Sequence, residues 1–227
     1  EDARLLAIDK PARLLTSPDR YDPERPNLMK LLHAGIERGT EWAASRKLDY
    51  LANAHRLDFE TTGVLLLAKD KPALVHLANQ FGGAKPEKTY VALVPGNPEQ
   101  DEFEVDLKLM QDPRLTGMMR WNKDGKKAFT RFRVLERFRG VTLLSCHPET
   151  GRTHQIRVHM AALKLPLVGD PIYGGSAHPL MPRQALHADL LSFDHPISGQ
   201  PMAFQSPLPA DIQSLLQAWS LSYNEKS

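Results

Sequence analysis

The chain has 227 residues, of which 41% are hydrophobic, enough to bury the core of one domain or of one domain with two lobes. Its formal net charge of +2 is too small to indicate a nucleic-acid partner by itself. No apolar run approaches the length of a membrane span, and no signal-peptide pattern is found at the start, where residues 1–4 look like the truncated edge of a domain. The single cysteine, Cys146, excludes an internal disulfide and fits a reducing cytoplasm, where we expect the protein to be located.

Apolar periodicity and turn residues divide the chain into many short strands and a few helices. In chain order the predicted elements are a strand at Leu5–Ile8, a helix from Asn27 to about Gly39, a strand at Val64–Ala68, a helix from Asp70 to Gly82, strands at Lys88–Val94, Phe103–Leu109, Ala128–Leu135 and Val141–His147, a helix from Thr153 to about Leu163, a strand at Leu186–Phe193 and a helix at Pro209–Trp219. Asn27, Asp70 and Thr153 are the predicted helix N-caps. The pattern predicts an α+β fold, with a mostly antiparallel central sheet and flanking helices and loops.

The densest charge in the sequence lies between Arg114 and Arg139, where nine basic residues face two acidic ones. Just before this stretch, residues 99–106 contain five acidic side chains. Such asymmetry can create a basic face that the net charge hides, although a solvated hairpin without a partner is the alternative. The dipeptide Asp124-Gly125 is the strongest turn signal in the chain, so we expect a β-hairpin there.

A polar turn that carries His55, Arg56, Asp58 and Glu60 leads directly into the apolar run Val64–Ala68. Five consecutive apolar residues suit a strand buried on both faces. Polar residues at the mouth of such a strand stand on a rigid support, where chemistry can be positioned. An aspartate alone in a turn most often stabilises the local backbone, but here an arginine and a second carboxylate accompany it.

Two further stretches contain residue types that suit a binding site. Arg152 and Arg157 lie in the stretch Gly151–His159 and could bind phosphate or carboxylate in a fork geometry, although a solvated basic helix face is the simpler reading of either one. Tyr90 follows Lys88 in a predicted strand and by itself would most often be a core aromatic.

Nothing in the sequence requires a metal or a cofactor. His154 and His159 are the only close histidine pair in a predicted helix, and a spacing of five residues places them about 140° apart around the axis. No P-loop or dinucleotide-binding glycine pattern is present in the sequence. We therefore expect no cofactor and no metal.

The string from His55 to Gly63, His-Arg-Leu-Asp-x-x-Thr-Thr-Gly, resembles the central motif of the RluA-type RNA pseudouridine synthases. Thr62 and Val64 differ from the usual serine and leucine of that family, and both changes are conservative. The resemblance continues in family order over nearly the whole chain, through Asp9-Lys10-Pro11, Lys88-x-Tyr90, Gly151–His159, Gly169–Gly174, Leu186-His187-Ala188 and His195-Pro196. It implies a single catalytic domain over residues 1–227, without the separate N-terminal RNA-binding domain that many relatives carry.

The resemblance implies an isomerase that converts specific uridines to pseudouridine in structured rRNA or tRNA, as a monomer that flips its target base. In the family, the residue matching Asp58 is the catalytic carboxylate, the residue matching Arg157 lies beside it, and the residue matching Tyr90 packs against the base. Arg56 matches the arginine that helps to hold open the vacated space. We expect the remaining substrate contacts to come from His55, Arg152, Lys123, Lys126 and Lys127.

Several alternatives stay open at this point. The carboxylate could attack ribose C1′, add to uracil C6, or act as a base on the ribose, and the sequence does not choose among these routes. A non-catalytic RNA-binding or chaperone module on the same fold would bind RNA without chemistry. A glycoside- or nucleoside-hydrolysing enzyme would need a second carboxylate as general acid, for which Glu60 is the only nearby candidate in the sequence.

Overall fold

The computed structural model describes residues 1–19 and 22–224, and the predicted α+β class with a mostly antiparallel sheet is confirmed. The elements are β1 (Leu5–Lys10), α1 (Leu28–Glu37), α2 (Glu41–Ala44), β2 (Ala52–Asn53), β3 (Thr62–Ala68), α3 (Lys71–Gly82), β4 (Glu87–Pro95), β5 (Glu102–Gln111), β6 (Met119–Trp121), β7 (Lys126–Phe138), β8 (Val141–Pro148), α4 (Gln155–Ala162), β9 (Leu186–Asp194), β10 (Pro201–Gln205) and α5 (Ala210–Asn224). Within the described ranges no helix combines the length and the apolar character needed to cross a membrane.

The chain divides into two compact units. Unit 1 contains Glu1–Pro86 and Leu190–Ser206, and unit 2 contains Glu87–Asp189 and Pro207–Ser227. The prediction of one catalytic domain over the whole chain allowed for two lobes and stays a prediction.

Unit 1 is built on β3, whose seven residues are all buried as the apolar run predicts. β3 pairs antiparallel with β1, from Leu5 opposite Ala68 to Lys10 opposite Gly63, and with the two residues of β2. Helix α3 packs on this sheet through the fully buried Ala73 and Leu77. The buried strand thus gives the polar turn that precedes it a rigid base.

The predicted caps of the first two long helices are confirmed. The side-chain oxygen of Asn27 accepts a hydrogen bond from the Lys30 amide at 2.9 Å, and that of Asp70 accepts one from the Ala73 amide at 2.8 Å. Both cap residues have extended backbone, so each side chain reaches forward to an amide that has no partner inside its helix.

Unit 2 contains an antiparallel sheet in the order β4, β8, β7, β5 and β6, covered on both faces. Alternate residues of β4 serve the two faces. Ala92 and Val94 pack with Ile156 and Met160 of α4, in a buried cluster that also contains Phe132. The opposite cluster is closed by α5 and contains, among others, Val91, Leu93, Phe138, Leu143, Ile212 and Leu215.

The predicted hairpin at Asp124-Gly125 is wrong, although the turn itself is present. The Gly125 amide donates to the Asn122 carbonyl at 2.9 Å, which closes the turn. The flanking strands β6 and β7 do not pair with each other, because each pairs with β5: Leu109 lies opposite both Trp121 and Lys126. The connection therefore crosses over the end of β5 instead of joining two neighbours.

Gly125 is required by the close approach of this crossing. A Cβ built on Gly125 would lie 2.6–2.8 Å from the backbone C, O and N atoms of Leu109. Backbone atoms in a paired strand cannot move away freely, so only a residue without a side chain fits.

We predict that Gly125→Ala lowers the free energy of unfolding by about 1–3 kcal/mol, because the added methyl group forces the crossing away from β5. Gly82→Ala is the control, since a Cβ at Gly82 meets nothing within 4 Å. Urea denaturation of the two variants and wild type measures the difference. Equal stability of the two variants would contradict the close approach.

Candidate active site

Asp58 lies in the turn that connects β2 to β3 in unit 1. Its side chain is half-buried, its neighbour Leu57 is buried, and Arg56 is exposed. The Thr61 amide donates to the Asp58 carbonyl at 3.1 Å and closes the turn just before β3 begins. The turn thus places the Arg56 guanidinium and the Asp58 carboxylate on either side of the buried Leu57.

Side chains and backbone from residues 10–16 hold this turn in place. The Thr16 hydroxyl donates to the Leu57 carbonyl at 3.1 Å and accepts from the Leu57 amide at 3.2 Å. The Leu14 amide donates to the Phe59 carbonyl at 3.2 Å. Lys10 is fully buried, and its ammonium donates to the carbonyls of Leu14 at 2.8 Å and Phe59 at 3.4 Å. The residues on both sides of Asp58 are therefore fixed through their backbone.

His55 supports the same turn from the side of β3. Its Nε2 accepts a hydrogen bond from the Leu66 amide at 3.1 Å, next to the ladder bond in which the Ala54 amide donates to the Leu66 carbonyl at 3.0 Å. Its ring stacks on Phe81 of α3, with centroids 4.9 Å apart. A supporting role for His55 was not anticipated from the sequence, and its predicted contact with substrate stays a prediction.

In unit 2, the predicted cap of α4 by Thr153 is wrong. The residue before the helix is His154, which adopts a left-handed conformation with φ 54° and makes no capping bond with its side chain. The buried side chain of Gln155 organises the entry instead: its Oε1 accepts from Thr150 Oγ1 at 2.6 Å and from the Arg152 amide at 3.0 Å. Its Nε2 donates to the Phe129 carbonyl at 2.9 Å, which ties the helix start to β7.

Arg157 is buried on α4 and forms a two-pronged ion pair with Asp170. The Nε and Nη2 atoms of Arg157 donate to the two carboxylate oxygens at 2.7 and 2.9 Å, and the two side chains are 2% and 0% exposed. The amide of Ile172 also donates to Asp170, at 3.0 Å, and the ring of Tyr173 lies under the guanidinium at 5.0 Å. This set of contacts fixes the direction of the guanidinium.

The sequence alone did not predict the pairing of Asp170 with Arg157. The signal was present, since a buried arginine needs a carboxylate and Asp170 is part of the motif Gly169–Gly174. In the same loop, the hydroxyl of Tyr173 accepts from the Met119 amide at 2.9 Å and lies 2.8 Å from Nδ1 of His154.

Tyr90 lies on β4 opposite Cys146 of β8, and its half-buried ring packs against the cluster that contains Ile156. It is therefore adjacent in the packing to the helix that carries Arg157. Burial raises the pKa of the Cys146 thiol well above its usual range, which fits an inert core residue.

The lysine cluster, Lys123, Lys126 and Lys127, is exposed near the crossing connection. The Lys127 carbonyl accepts a hydrogen bond from Arg152 Nε at 2.9 Å, so these two predicted substrate-binding residues lie together. The Lys127 ammonium lies 3.6 Å from the Asp106 carboxylate, whereas no ion pair engages Lys123 or Lys126 within residues 1–19 and 22–224.

The basic stretch 114–139 is partly neutralised by the acidic stretch that precedes it. Because β5 and β7 are antiparallel neighbours, Glu104 lies opposite Arg131, and their side chains pair at 3.1 Å. Arg131 also pairs with Glu149 at 2.6 Å, and Arg137 pairs with Asp101. The charge asymmetry along the sequence is therefore much smaller on the sheet than the count of basic residues suggests.

The predicted site residues fall into two sets. His55, Arg56 and Asp58 share one turn of unit 1, and Tyr90, Arg157, Arg152 and the lysine cluster belong to unit 2. Within unit 2, α4 and its entry bring Arg152 and Arg157 onto one segment.

A buried histidine, His159, lies on α4 two residues after Arg157. It is fully buried, and neither ring nitrogen has a hydrogen-bond partner within the part of the chain that the structure describes. Desolvation lowers the pKa of His159 to about 4, and the Asp106 carboxylate opposes this shift only in part. The ring is therefore neutral in the folded protein at physiological pH.

The family model and similar proteins of known name agree on one family. Residues 4–162 match the family model described as RNA pseudouridylate synthase. The chain is 39% identical to the ribosomal large subunit pseudouridine synthase D of Xanthomonas campestris pv. campestris, covering 96% of this chain and 67% of that protein. It is 41% identical to the protein of the same name in Nitrosomonas europaea, covering 96% of this chain and 63% of that protein. It thus spans about two thirds of the length of these relatives.

Solved structures agree on the fold. Human RNA pseudouridylate synthase domain containing 4 superimposes with a TM-score of 0.77 at 23% identity, covering 97% of this chain and 91% of that chain. Human RNA pseudouridylate synthase domain containing 1 gives a TM-score of 0.70 at 24% identity, covering 97% and 92%.

We predict that His159 makes the protein less stable in mild acid. The unfolded chain binds a proton at His159 near pH 6.5, whereas the folded chain resists it until about pH 4. The stabilisation is therefore complete above about pH 6.5 and is lost as the pH falls toward 4, by about 2–3 kcal/mol over that window.

The variant His159→Leu removes this titration, so the free energy of unfolding should depend less on pH between 4 and 6.5 than in wild type. Chemical denaturation at several pH values measures both slopes. Identical slopes in the two proteins would show that His159 titrates normally or does not titrate at all.

Proposed function

Because this chain belongs to the RNA pseudouridylate synthase family, we propose that it isomerises specific uridines to pseudouridine in large-subunit ribosomal RNA. The family match over residues 4–162 carries this proposal. The sequence resemblance left rRNA and tRNA open, and the names of relatives 39% and 41% identical favour rRNA. The whole chain acting as one catalytic domain, as a monomer and in the cytoplasm, is part of the proposal.

Asp58 is the proposed catalytic carboxylate. Its backbone neighbours are fixed by Thr16 and by Lys10, while its own side chain is half-buried at the mouth of a rigid strand. This arrangement suits a group that must meet a substrate without moving the fold. Arg56, exposed two residues earlier, is the proposed arginine that occupies the space left by the flipped uridine.

Arg157 and Tyr90 are the proposed partners of Asp58 in the reaction. The Asp170 carboxylate and the Tyr173 ring hold the Arg157 guanidinium in one orientation, which suits a group that orients a carboxylate. Tyr90 offers a half-buried ring on which a flipped uracil can stack.

The reaction breaks the bond between ribose C1′ and uracil N1, turns the base and joins C1′ to C5. The proton that leaves C5 is balanced by the one that N1 acquires. Asp58 can support this by attack on C1′, by addition to C6 or by acting as a base on the ribose. Each route needs the carboxylate in its ionised form.

We predict that Asp58→Asn and Asp58→Ala reduce single-turnover pseudouridine formation below detection, because both remove the charge and the nucleophile. Thermal melting and RNA affinity should stay near those of wild type, since the residue adds little to core packing. Release of tritium from rRNA labelled at uracil C5 measures the rate, because C5 loses its hydrogen when C1′ is attached.

Asp49→Asn is the matched control, an exposed aspartate of the same unit with no ion pair among the described residues. It should react like wild type. A folded Asp58→Asn protein that forms pseudouridine at nearly the wild-type rate would overturn the assignment of Asp58. Release of free uracil by wild type would instead favour a hydrolase.

The lysine cluster generates a separate prediction about RNA binding. Replacing Lys123 and Lys126 with alanine should weaken RNA affinity. The slope of log K against log salt concentration should become less steep by about one to two, because two phosphate contacts are lost. Lys127→Ala should have a smaller effect, since Asp106 already lies 3.6 Å from its ammonium. Affinity measured from 50 to 300 mM salt tests this. An unchanged slope in the double variant would make the cluster a solvated surface.

A further inference from the structure

Lys88 lies two residues before Tyr90 on β4 and shares a face of the strand with it. The Thr89 side chain between them turns to the other face, where its hydroxyl lies 3.4 Å from Nδ1 of His147. Side chains alternate along a strand, so Lys88 and Tyr90 project to the face on which Tyr90 packs against the cluster with Ile156. Their Cα atoms are separated by about two strand residues, or about 6–7 Å.

The ammonium of Lys88 has an unusual environment for a lysine. The residue is half-buried, and within residues 1–19 and 22–224 no hydrogen bond or ion pair engages its side chain. Burial lowers the pKa of Lys88 from its ordinary value, because desolvation disfavours the charged amine and no carboxylate compensates.

Other basic side chains that are withdrawn from water have partners in the chain. Lys10 donates to backbone carbonyls, and Lys69, whose side chain is 12% exposed, pairs with Glu1 at 3.2 Å. Arg157 pairs with Asp170 and Arg183 with Asp211, each at 2.7 Å. Withdrawing a charge from water is costly unless the charge is paired. Lys88 differs from these residues because its ammonium has no such partner within the described residues.

We propose that Lys88 is a substrate-binding residue whose ammonium contacts an anionic oxygen of the target nucleotide, next to the base that stacks on Tyr90. This inference rests on the proposed isomerisation of uridine and on the proposed stacking role of Tyr90. An oxygen from the RNA replaces the water that Lys88 has lost, and a charged donor makes a strong hydrogen bond to it.

Two oxygens of the nucleotide have the required chemistry. A phosphate oxygen carries a full negative charge before the reaction starts. A uracil carbonyl oxygen gains negative charge when the base leaves C1′ with the electron pair of the N1–C1′ bond. Contact with phosphate strengthens RNA binding, whereas contact with the departing base stabilises the transition state.

The competing interpretation is that the methylene stem of Lys88 only covers apolar surface beside Tyr90. A methionine has nearly the same length and apolar character, so Lys88→Met keeps that packing and removes only the charge. Lys88→Arg keeps the charge and lengthens the side chain. Lys71→Met is the control, an exposed lysine with no ion pair in the described residues.

The experiment measures melting temperature, RNA affinity against salt and single-turnover tritium release for wild type and the three variants, with unmodified large-subunit rRNA as substrate. We expect Lys88→Met to melt at or above the wild-type temperature, because a desolvated charge is removed. At subsaturating RNA its rate should fall about tenfold or more, the effect of losing one charge-assisted hydrogen bond. Lys88→Arg should stay within about threefold of wild type, and Lys71→Met should be unchanged.

The two oxygens give different results for Lys88→Met. Contact with phosphate weakens affinity and reduces the salt slope by about one. Contact with the uracil oxygen leaves affinity and slope unchanged and lowers the rate at saturating RNA.

Two results would overturn the inference: wild-type rate and affinity in Lys88→Met, or equal losses in Lys88→Met and Lys88→Arg together with a lowered melting temperature. Failure of wild type itself to form pseudouridine would overturn the proposed function instead, and the comparison of RNA affinities would still report on Lys88.

Discussion

The turn that carries Asp58 lies outside any strand ladder, so its backbone groups need hydrogen-bond partners from elsewhere. They find them mainly in side chains: the Thr16 hydroxyl serves both backbone groups of Leu57, and the buried Lys10 ammonium reaches the Phe59 carbonyl. The His55 ring connects the turn to the neighbouring strand, because its Nε2 accepts a hydrogen bond from the Leu66 amide. Together these contacts fix the backbone on both sides of Asp58.

The orientation of the Arg157 side chain is fixed by an ion pair instead. A buried, two-pronged pair such as Arg157–Asp170 adds little net stability compared with apolar packing, but it is costly to break because one charge would be left without a partner. The pair therefore contributes mainly to the orientation of Arg157, because the guanidinium cannot rotate without losing two hydrogen bonds at once. The Tyr173 ring beneath it and the backbone amide on Asp170 extend that constraint into the loop.

Sequence signals predicted the structure well where the deciding contacts are local. Asn27 and Asp70 cap their helices because each contacts an amide three residues ahead, and β3 is buried because its whole run is apolar. Thr153 was mispredicted because the entry to α4 is organised by Gln155, whose partners Phe129 and Thr130 lie 26 and 25 residues away. A cap motif contains no information about such contacts.

The same distinction explains the turn at Gly125 and the choice of site residues. The turn chemistry was right, but which strand lies between β6 and β7 depends on the register of β5, which no local signal encodes. That register also pairs Glu104 with Arg131 and so removes much of the expected basic face. For the proposed site, motif similarity suggested Asp58, Tyr90 and Arg157, whereas the contacts that Lys10, Thr16 and Asp170 make around them emerged only from the three-dimensional structure.

The crossing at residues 122–125 also constrains how unit 2 assembles. Two strand spacings, about 10 Å, separate β6 from β7, and the four residues that join them are folded into the turn in which the Gly125 amide donates to the Asn122 carbonyl, so the connection is short. Once this connection has formed, β5 can no longer insert between β6 and β7. We infer an order of events: β5 and β6 form their hairpin first, joined by the local loop at 112–118, and β7 then adds to the far edge of β5 as the connection passes over it. The slow step in folding this unit would then be the docking of β7, which is a matter of topology rather than of the strength of any contact.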